Sequence, residues 1–398
     1  MPGLDPGIHS ALWEICPTVM EWLAGSSPAM TTSLGWESSL RALFEAAGAE
    51  WIEVPVLHPA DPFLETAGED IRRRMFVTEG PQGERLALRP DFTIPVCLAH
   101  LRDGAGPRRY AYEGLVFRRH DSGAPERPEA GYEDIGRADR VQADAEALAL
   151  ALGAAAAVTA APLSVRLGDI GVFDALLRSL GLPGRWRRRL RRSFGLPAVM
   201  TANLDRLAGP RGGEDVRLDP EMRPAADAHD RGRLITLLAG RLAAHGHMEG
   251  AGRSTEEIAD RFLDQRALAE ARIEIGALKA LRAFLELQAD LRQAEERLGD
   301  FCGAHGVELG DALRQFSARA VAIEALAPSA SVRFEAGFGR PLDYYTGLVF
   351  EVRAAGKSAP LAGGGRYDRL MEMLGAARPI PAVGFTMRLD LAEGERRR

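Results

Sequence analysis

Cysteine is scarce: the 398 residues hold three, Cys16, Cys97 and Cys302. They are far apart and show no C-x-x-C spacing, so neither a disulfide framework nor a zinc site follows, and a reducing cytosol suits the chain. No apolar run reads as the roughly 18 residues a membrane span needs. Surplus positive charge is absent too. Fifty Lys and Arg stand against 56 Asp and Glu, a formal net charge of −6, which gives no whole-chain reason to expect nucleic acid. There is no H-E-x-x-H, no G-x-S-x-G and no cluster of His and Cys at metal spacing, so metal chemistry and serine hydrolysis have no support and no cofactor is expected. His245 and His247, flanking a glycine in a breaker-rich helical segment, read as surface residues. "GGGRYD" (363–368) lacks both the phosphate-loop lysine and the dinucleotide spacing; a glycine-rich strand-to-helix turn is the simpler explanation.

What is present is ample core material. The chain is 46% hydrophobic and 27% charged, a globular composition long enough for two domains or one large domain with an insertion. The first 29 residues mix Pro and Gly with isolated apolar residues and have no basic start before an apolar block, so they make a poor signal peptide. Met30 is the expected true start, with residues 1–29 a non-native or disordered extension packing on nothing. From Ser33, Trp36, Leu40, Leu43 and Phe44 fall on one helical face, and Gly48 stops it. "EWIEVPVLHP" (50–59) is strand-like, broken by Pro55, and belongs at an edge or interface. A hairpin is expected over 75–91, turning at Gly80–Gly83. Strands follow over 108–120 and, returning antiparallel, 131–139. A helix covers about 140–159 and a strand 163–171. A mostly helical insertion is expected over 173–325, between core segments 30–172 and 326–398. Strands in neighbouring hairpins make the class α+β with a mainly antiparallel sheet. The basic run "GRWRRRLRRSFG" (184–195) is either a solvated helix face or a phosphate- or partner-docking surface.

Charged groups collect where strands end. "LRPDFT" supplies Arg89, Asp91 and Thr93; "FRRH" supplies Arg118, Arg119 and His120; "EAGYED" supplies Glu129 and Glu133. "GRPLDYYTGLVFEV" (339–352) supplies Arg340, Asp343, Tyr344 and Tyr345 before an alternating apolar run. Singly each has a bland explanation: a turn, a solvated strand edge, tyrosines satisfied in a core. Together they are the groups that hold an amino acid, with acids for the ammonium, a forked cation for the carboxylate and hydroxyls for side-chain nitrogens.

In this order, "LRPDFT", "FRRH…EAGYEDIG", "GRPLDYYTGLVFEV" and "GGGRYDRLMEMLG…PAVGFTM" resemble the catalytic core of class II histidyl-tRNA synthetases, over most of 33–170 and 330–390. The resemblance implies the class II synthetase-like fold, a mainly antiparallel sheet flanked by helices. The departures choose the branch. Arg118 keeps the motif 2 arginine, but His120 replaces a glutamate that handles ATP. In "GFTMRLDL", Asp390 stands at the motif 3 glutamate, and Leu391 replaces the arginine that grips ATP phosphates. The chain is also expected to have no anticodon-binding domain.

A kept amino-acid pocket without an ATP grip resembles the regulatory subunits of ATP phosphoribosyltransferase. That resemblance implies a non-catalytic cytoplasmic subunit, required by a short catalytic subunit and carrying histidine feedback in the first step of L-histidine biosynthesis. It also implies a homodimer, formed through Trp51 to Leu57, within a hetero-oligomer. Carried over residue by residue, the L-histidine site would be Asp91 and Thr93 at the ammonium and Arg118 and Arg340 at the carboxylate. Glu129 stands where the family has a glutamine, and Asp91 is shorter than the usual glutamate. Glu133 and Tyr345, with Tyr344 beside it, would hold the imidazole, and Tyr367 would close the pocket. The alternatives are a compact aminoacylating histidyl-tRNA synthetase, which would need another hold on ATP, and a free-standing amino-acid sensor.

Overall fold

A computed structural model describes residues 35–66, 68–104, 106–119, 124–208, 221–244, 254–270, 274–328, 330–340 and 342–392. The expectations for residues 1–29, for His120 and for His245 and His247 lie outside the described residues. The chain divides into two compact units, one of residues 1–175 with 284–398 and one of Leu176–Ala283.

The first unit is built on a nine-stranded sheet and a three-stranded one. In chain order the strands are β1 (Glu50–Trp51), β2 (Leu57–Pro59), β3 (Val77–Glu79), β4 (Arg85–Leu88), β5 (Arg108–Phe117), β6 (Glu126–Ile135) and β7 (Leu163–Asp169). They continue with β8 (Gln288–Asp290), β9 (Ser331–Glu335), β10 (Leu348–Ala354), β11 (Ala362–Arg366) and β12 (Ala382–Arg388). The large sheet runs β1-β5-β6-β12-β11-β10-β7-β9-β8, and β2-β4-β3 form the small one. Among the described residues only β1 with β5 and β7 with β9 pair in parallel; the other neighbours are antiparallel, in an α+β arrangement. Pro55 has its expected effect, since "EWIEVPVLHP" becomes two short strands in different sheets. The β3–β4 hairpin closes with the Gly80 N–H donating to the Glu84 carbonyl at 2.8 Å, and Gly83 takes the left-handed φ of 80° that glycine accepts without strain.

Strand alternation divides the sheet into two faces. Tyr132 of β6 and Phe385 of β12 point to one face, where their rings lie 6.4 and 6.1 Å from that of Phe44. Phe44 belongs to α1 (Trp36–Ala46), which buries Trp36, Leu40, Leu43 and Phe44, the four residues of its apolar stripe. Full burial of such side chains is worth about 1.5–3 kcal/mol each.

The same face is covered by α3 (Arg140–Val158), whose Asp139 caps the Gln142 N–H at 3.0 Å. Here the sequence reading needs correction: α3 is long and apolar enough, by length and composition, to cross a membrane. Its residues are instead mostly buried in the core, with Ala143 and Ala147 on Val383 of β12. Alanine suits a helix that must lie close to a sheet, and it is also what makes the segment from Ala147 onward apolar on every side.

The other sheet face carries α2 (Thr93–Arg102) and the polar residues described below. The helices Leu291–His305 and Asp311–Leu326 also belong to this unit, so the separately packed unit is narrower than the 173–325 span expected from sequence. Arg319, on the second of these helices, pairs with Asp144 of α3 at 3.3 Å and with Asp169 at the end of β7. Those pairings tie residues 311–326 to the sheet.

The unit Leu176–Ala283 is helical. Met222, Ala225, Ala226, Leu234, Ala259 and Leu263 form its core. In the arginine-rich helix Gly184–Arg192, Trp186 and Leu190 point inward. Arg189 donates to Asn203 at 2.6 Å and Arg185 to the Leu263 carbonyl at 3.0 Å. Arg187, Arg188 and Arg192 are exposed.

Candidate functional site

Because Tyr132 faces the core, the alternate residues of β6 (Arg127, Glu129, Gly131 and Glu133) face the opposite side. The register sets Gly384 of β12 against Glu133 and Arg388 against Glu129, with Thr386 between them against Gly131. On the other flank Tyr112 of β5 lies opposite Gly131. A Cβ at Gly384 would run into the Glu133 carboxylate, and one at Gly131 into the Tyr112 hydroxyl. The missing side chains therefore leave room for buried polar ones.

Glu133, 1% exposed, is the centre. Its Oε1 accepts from the Thr93 hydroxyl at 2.7 Å and from the Tyr112 hydroxyl at 3.2 Å; its Oε2 accepts from the Tyr367 hydroxyl. Burial pushes this carboxyl up to about 7, against the pull of the Tyr367, Thr93 and Tyr112 hydrogen bonds, and nearby Asp91 adds to the rise. Cys97 of α2 is buried beside these acids, and burial first, then Glu133 and Asp91, drive its thiol well up. It is a neutral wall.

Asp91 is also buried. One carboxylate oxygen accepts from the Ile94 N–H at 3.1 Å, at the opening of α2; the other is buried with no hydrogen-bond donor. Burial raises Asp91 to about 6, with Arg118 and the Ile94 N–H opposing and Glu129 reinforcing the rise. Glu129 is buried and accepts from the Thr386 hydroxyl at 3.1 Å. Arg118 is held by donating its Nε to the Pro90 carbonyl at 2.5 Å.

The loop before β10 brings the second cation. Arg340 reaches Glu351 at 3.4 Å, crossing Gly363 of β11, where a Cβ would collide with the guanidinium. Burial works against its charge, but Tyr345, Glu351 and Tyr344 outweigh that and keep the group protonated. Arg340 Nε is buried without an acceptor. Glu351 also meets Arg353 at 3.0 Å. Tyr344 and Tyr345 are buried, their rings 5.0 Å apart, and Tyr344 lies 5.9 Å from Tyr367. Burial holds all three phenols neutral by raising them above their ordinary value.

The tyrosine loop is pinned from behind. The Thr346 N–H donates to the Arg366 carbonyl at 2.7 Å, and the Thr346 hydroxyl accepts from the Asp368 N–H at 3.1 Å. Arg366 in turn binds Asp144 and Asp368, each at 2.7 Å.

The structure thus gathers all nine singled-out residues, Asp91, Thr93, Arg118, Glu129, Glu133, Arg340, Tyr344, Tyr345 and Tyr367, on one sheet face. Other residues of the same motifs do different work. Arg89 is a strut, donating to the carbonyls of Leu115 at 2.8 Å and Val54 at 2.6 Å over the Phe92 ring. Arg119 and Asp343 are exposed. The glycines of "GGGRYD" are not a strand-to-helix turn but the buried strand β11 itself, because Arg340 and the neighbouring strands come too close for side chains there. Tyr112 was missed by the sequence reading; the signal lay in a strand aromatic paired with a glycine, readable only once the register is known. At the end of β12, Asp390 holds Arg388 at 2.6 Å, and Leu391 follows it with no cation to offer. Among the described residues no group of His, Cys, Asp and Glu could hold a metal ion.

The histidyl-tRNA synthetase family model matches residues 30–217 and 248–391. The ATP phosphoribosyltransferase regulatory subunit of Chelativorans sp. (strain BNC1) is 47% identical over 351 residues, covering 87% of this chain and 94% of its own. That of Allorhizobium ampelinum is 46% identical over 358 residues, covering 89% and 96%. Among solved structures, an ATP phosphoribosyltransferase regulatory subunit/histidyl-tRNA synthetase from Bacillus halodurans matches with a TM-score of 0.63 at 24% identity, over 89% of this chain and 76% of that one. At that identity it speaks for the fold alone.

Proposed function

The chain belongs to the ATP phosphoribosyltransferase regulatory subunits, within the histidyl-tRNA synthetase family, and from that premise we propose that it is the histidine sensor of its complex. It carries out no chemistry of its own. Its partner is the short catalytic ATP phosphoribosyltransferase subunit, which needs it for activity, and L-histidine acts through it as feedback effector in the first step of histidine biosynthesis. In the pocket, Asp91, Thr93 and Glu129 take the ligand ammonium, and Arg118 and Arg340 take the carboxylate. Glu133 and Tyr345, with Tyr344 and Tyr367 around them, take the imidazole.

The observation that supports this most is the buried carboxylate oxygen of Asp91, which has no donor. A buried acceptor left unpaired costs about 1–3 kcal/mol, and a ligand ammonium would relieve that cost. The hydroxyl-lined Glu133 supports the ring end of the same assignment. Burial also holds the hydroxyls neutral, so they remain donors at neutral pH.

Histidine regulates only if its binding differs between two states of the complex. A coupling of about 1–3 kcal/mol changes partner behaviour about 5- to 150-fold. The loop 339–347, which carries Arg340 and both tyrosines, is the element that responds. Homodimers form through the stretch Trp51 to Leu57, whose Val56 and Leu57 are 41% and 43% exposed. The exposed Arg187, Arg188 and Arg192 offer a docking face for the catalytic subunit. The test is phosphoribosyl transfer by the reconstituted complex. Arg340→Ala is expected to abolish histidine inhibition while gel filtration shows the complex intact; unchanged inhibition would remove Arg340 from the ligand site.

A further inference from the structure

Beyond the nine residues, the sheet register brings two further charged groups onto the ligand face, and a third holds them from the turn after β12. Arg127 lies two residues before Glu129 on β6 and Arg388 directly opposite Glu129 on β12, so alternation puts both on the side that carries Glu129 and Glu133. Asp390 ties them together: its carboxylate takes Arg388 Nε at 3.1 Å and Nη2 at 2.6 Å. Arg127 Nε stands 3.8 Å from the same carboxylate. The three side chains keep only 24%, 23% and 34% of their surface exposed, so they form a packed group rather than free surface arginines. Arg127 also lies within electrostatic reach of Arg118 and Glu129, at the end of the pocket away from the tyrosines.

Strand β6 therefore acts as a ruler. Glu133 marks the hydroxyl-lined end, and Glu129 lies four residues along, about 13 Å, with Gly131 between them. Arg127 lies two residues further, another step of about 7 Å. A ligand whose ring meets Glu133 and whose ammonium meets Glu129 directs its carboxyl group toward Arg118, and anything attached there runs toward the Arg127–Asp390–Arg388 group.

We propose that Arg127, Asp390 and Arg388 form a cap that closes this end of the pocket, making it specific for a free amino acid and excluding one extended at its carboxyl group. This rests on the histidine reading above, whose ligand orientation it uses. Exclusion works by obstruction and not by loss of attraction: a bulky ester or amide must break a bidentate ion pair and displace two guanidinium groups, a built-in penalty against the wrong ligand. The same cap separates the amino-acid end from any larger group joined to it, a second barrier to adenylate-type ligands besides the apolar Leu391.

The experiment is calorimetric titration of the full chain with L-histidine, L-histidinamide and L-histidine β-naphthylamide. The two amides lack the carboxylate equally and differ only in bulk beyond it, so the ratio of their affinities isolates the cap. Wild type is expected to bind the small amide at least about 10-fold more tightly than the naphthylamide. In Arg127→Ala/Arg388→Ala the ratio is expected to fall below about 3-fold, through a gain in naphthylamide affinity that a merely structural role would not produce. Asp390→Ala, which unties both arginines and leaves the strands untouched, is expected to move the ratio the same way. If wild type does not discriminate, or if neither variant changes the ratio while L-histidine still binds, the cap is refuted and the histidine site stands. If L-histidine itself fails to bind wild type, the underlying assignment falls and the cap with it.

Discussion

Replacing Glu133 by Gln should strengthen the fold and weaken the site. The carboxyl is 1% exposed, and burial lifts it from its ordinary 4.5 to about 7. An acid whose folded value is raised imposes no penalty below about pH 4.5, where it is protonated in both states; the penalty grows between 4.5 and 7 and is complete above 7. At about 1.4 kcal/mol for each pH unit it reaches about 3 kcal/mol. Glu133→Gln keeps the shape and removes the charge. It should therefore be close to neutral at pH 5 and raise stability at pH 8, by up to about 3 kcal/mol less whatever hydrogen bonding is lost. The gain corresponds to about 5 °C in melting temperature for a unit of this size. The glutamine can still accept from Thr93 and Tyr112 through one atom, but its NH2 faces the Tyr367 hydroxyl, which must turn to accept instead. With the acid gone, L-histidine affinity should drop by about 10-fold or more. Thermal melts at pH 5, 6, 7 and 8, paired with histidine titrations, test both halves. A variant less stable than wild type by the same amount at every pH would show that Glu133 carries no ionisation penalty, and the account of its burial would be wrong.

Gly363→Ala places a methyl group where the Arg340 guanidinium lies. The flexible arginine can yield, so melting temperature should change little while histidine affinity falls about 10-fold or more; unchanged affinity by calorimetry would show that Arg340 need not occupy that position. Asp144→Ala removes a fully buried acid from between Arg319 and Arg366. Leaving buried guanidiniums uncompensated should lower unfolding free energy by about 3 kcal/mol or more in urea titrations, and a loss under about 1 kcal/mol would show that Asp169 and Asp368 suffice for them.

Much of this site could be read from sequence because its residues sit at strand ends beside the patterns that define those strands. The alternation in "GLVFEV" and the turn chemistry of "EGPQGE" place β10 and the β3–β4 hairpin directly. What could not be read depended on pairing between distant segments. Tyr112, Gly384, Arg127 and Arg388 gain their meaning only when β5, β6 and β12 are in register. The glycines of β11 look like a turn until Arg340 is seen to need their space. The helices 291–305 and 311–326 carry amphipathic patterns that state a buried face but not which surface buries it. For 311–326 that choice is made by the contacts of Arg319 with Asp144 and Asp169. The apolarity of α3 from Ala147 onward likewise cannot distinguish a core helix from a membrane span until the sheet beneath it is known.

Titration calorimetry of the purified chain with L-histidine and, separately, with ATP tests the central claim most directly: that a cradle for a free amino acid persists where no arginine remains at position 391 to grip a triphosphate. Saturable heat with L-histidine and no turnover of ATP is the expected result. Silence with L-histidine, alongside binding and turnover of the nucleotide, would contradict it.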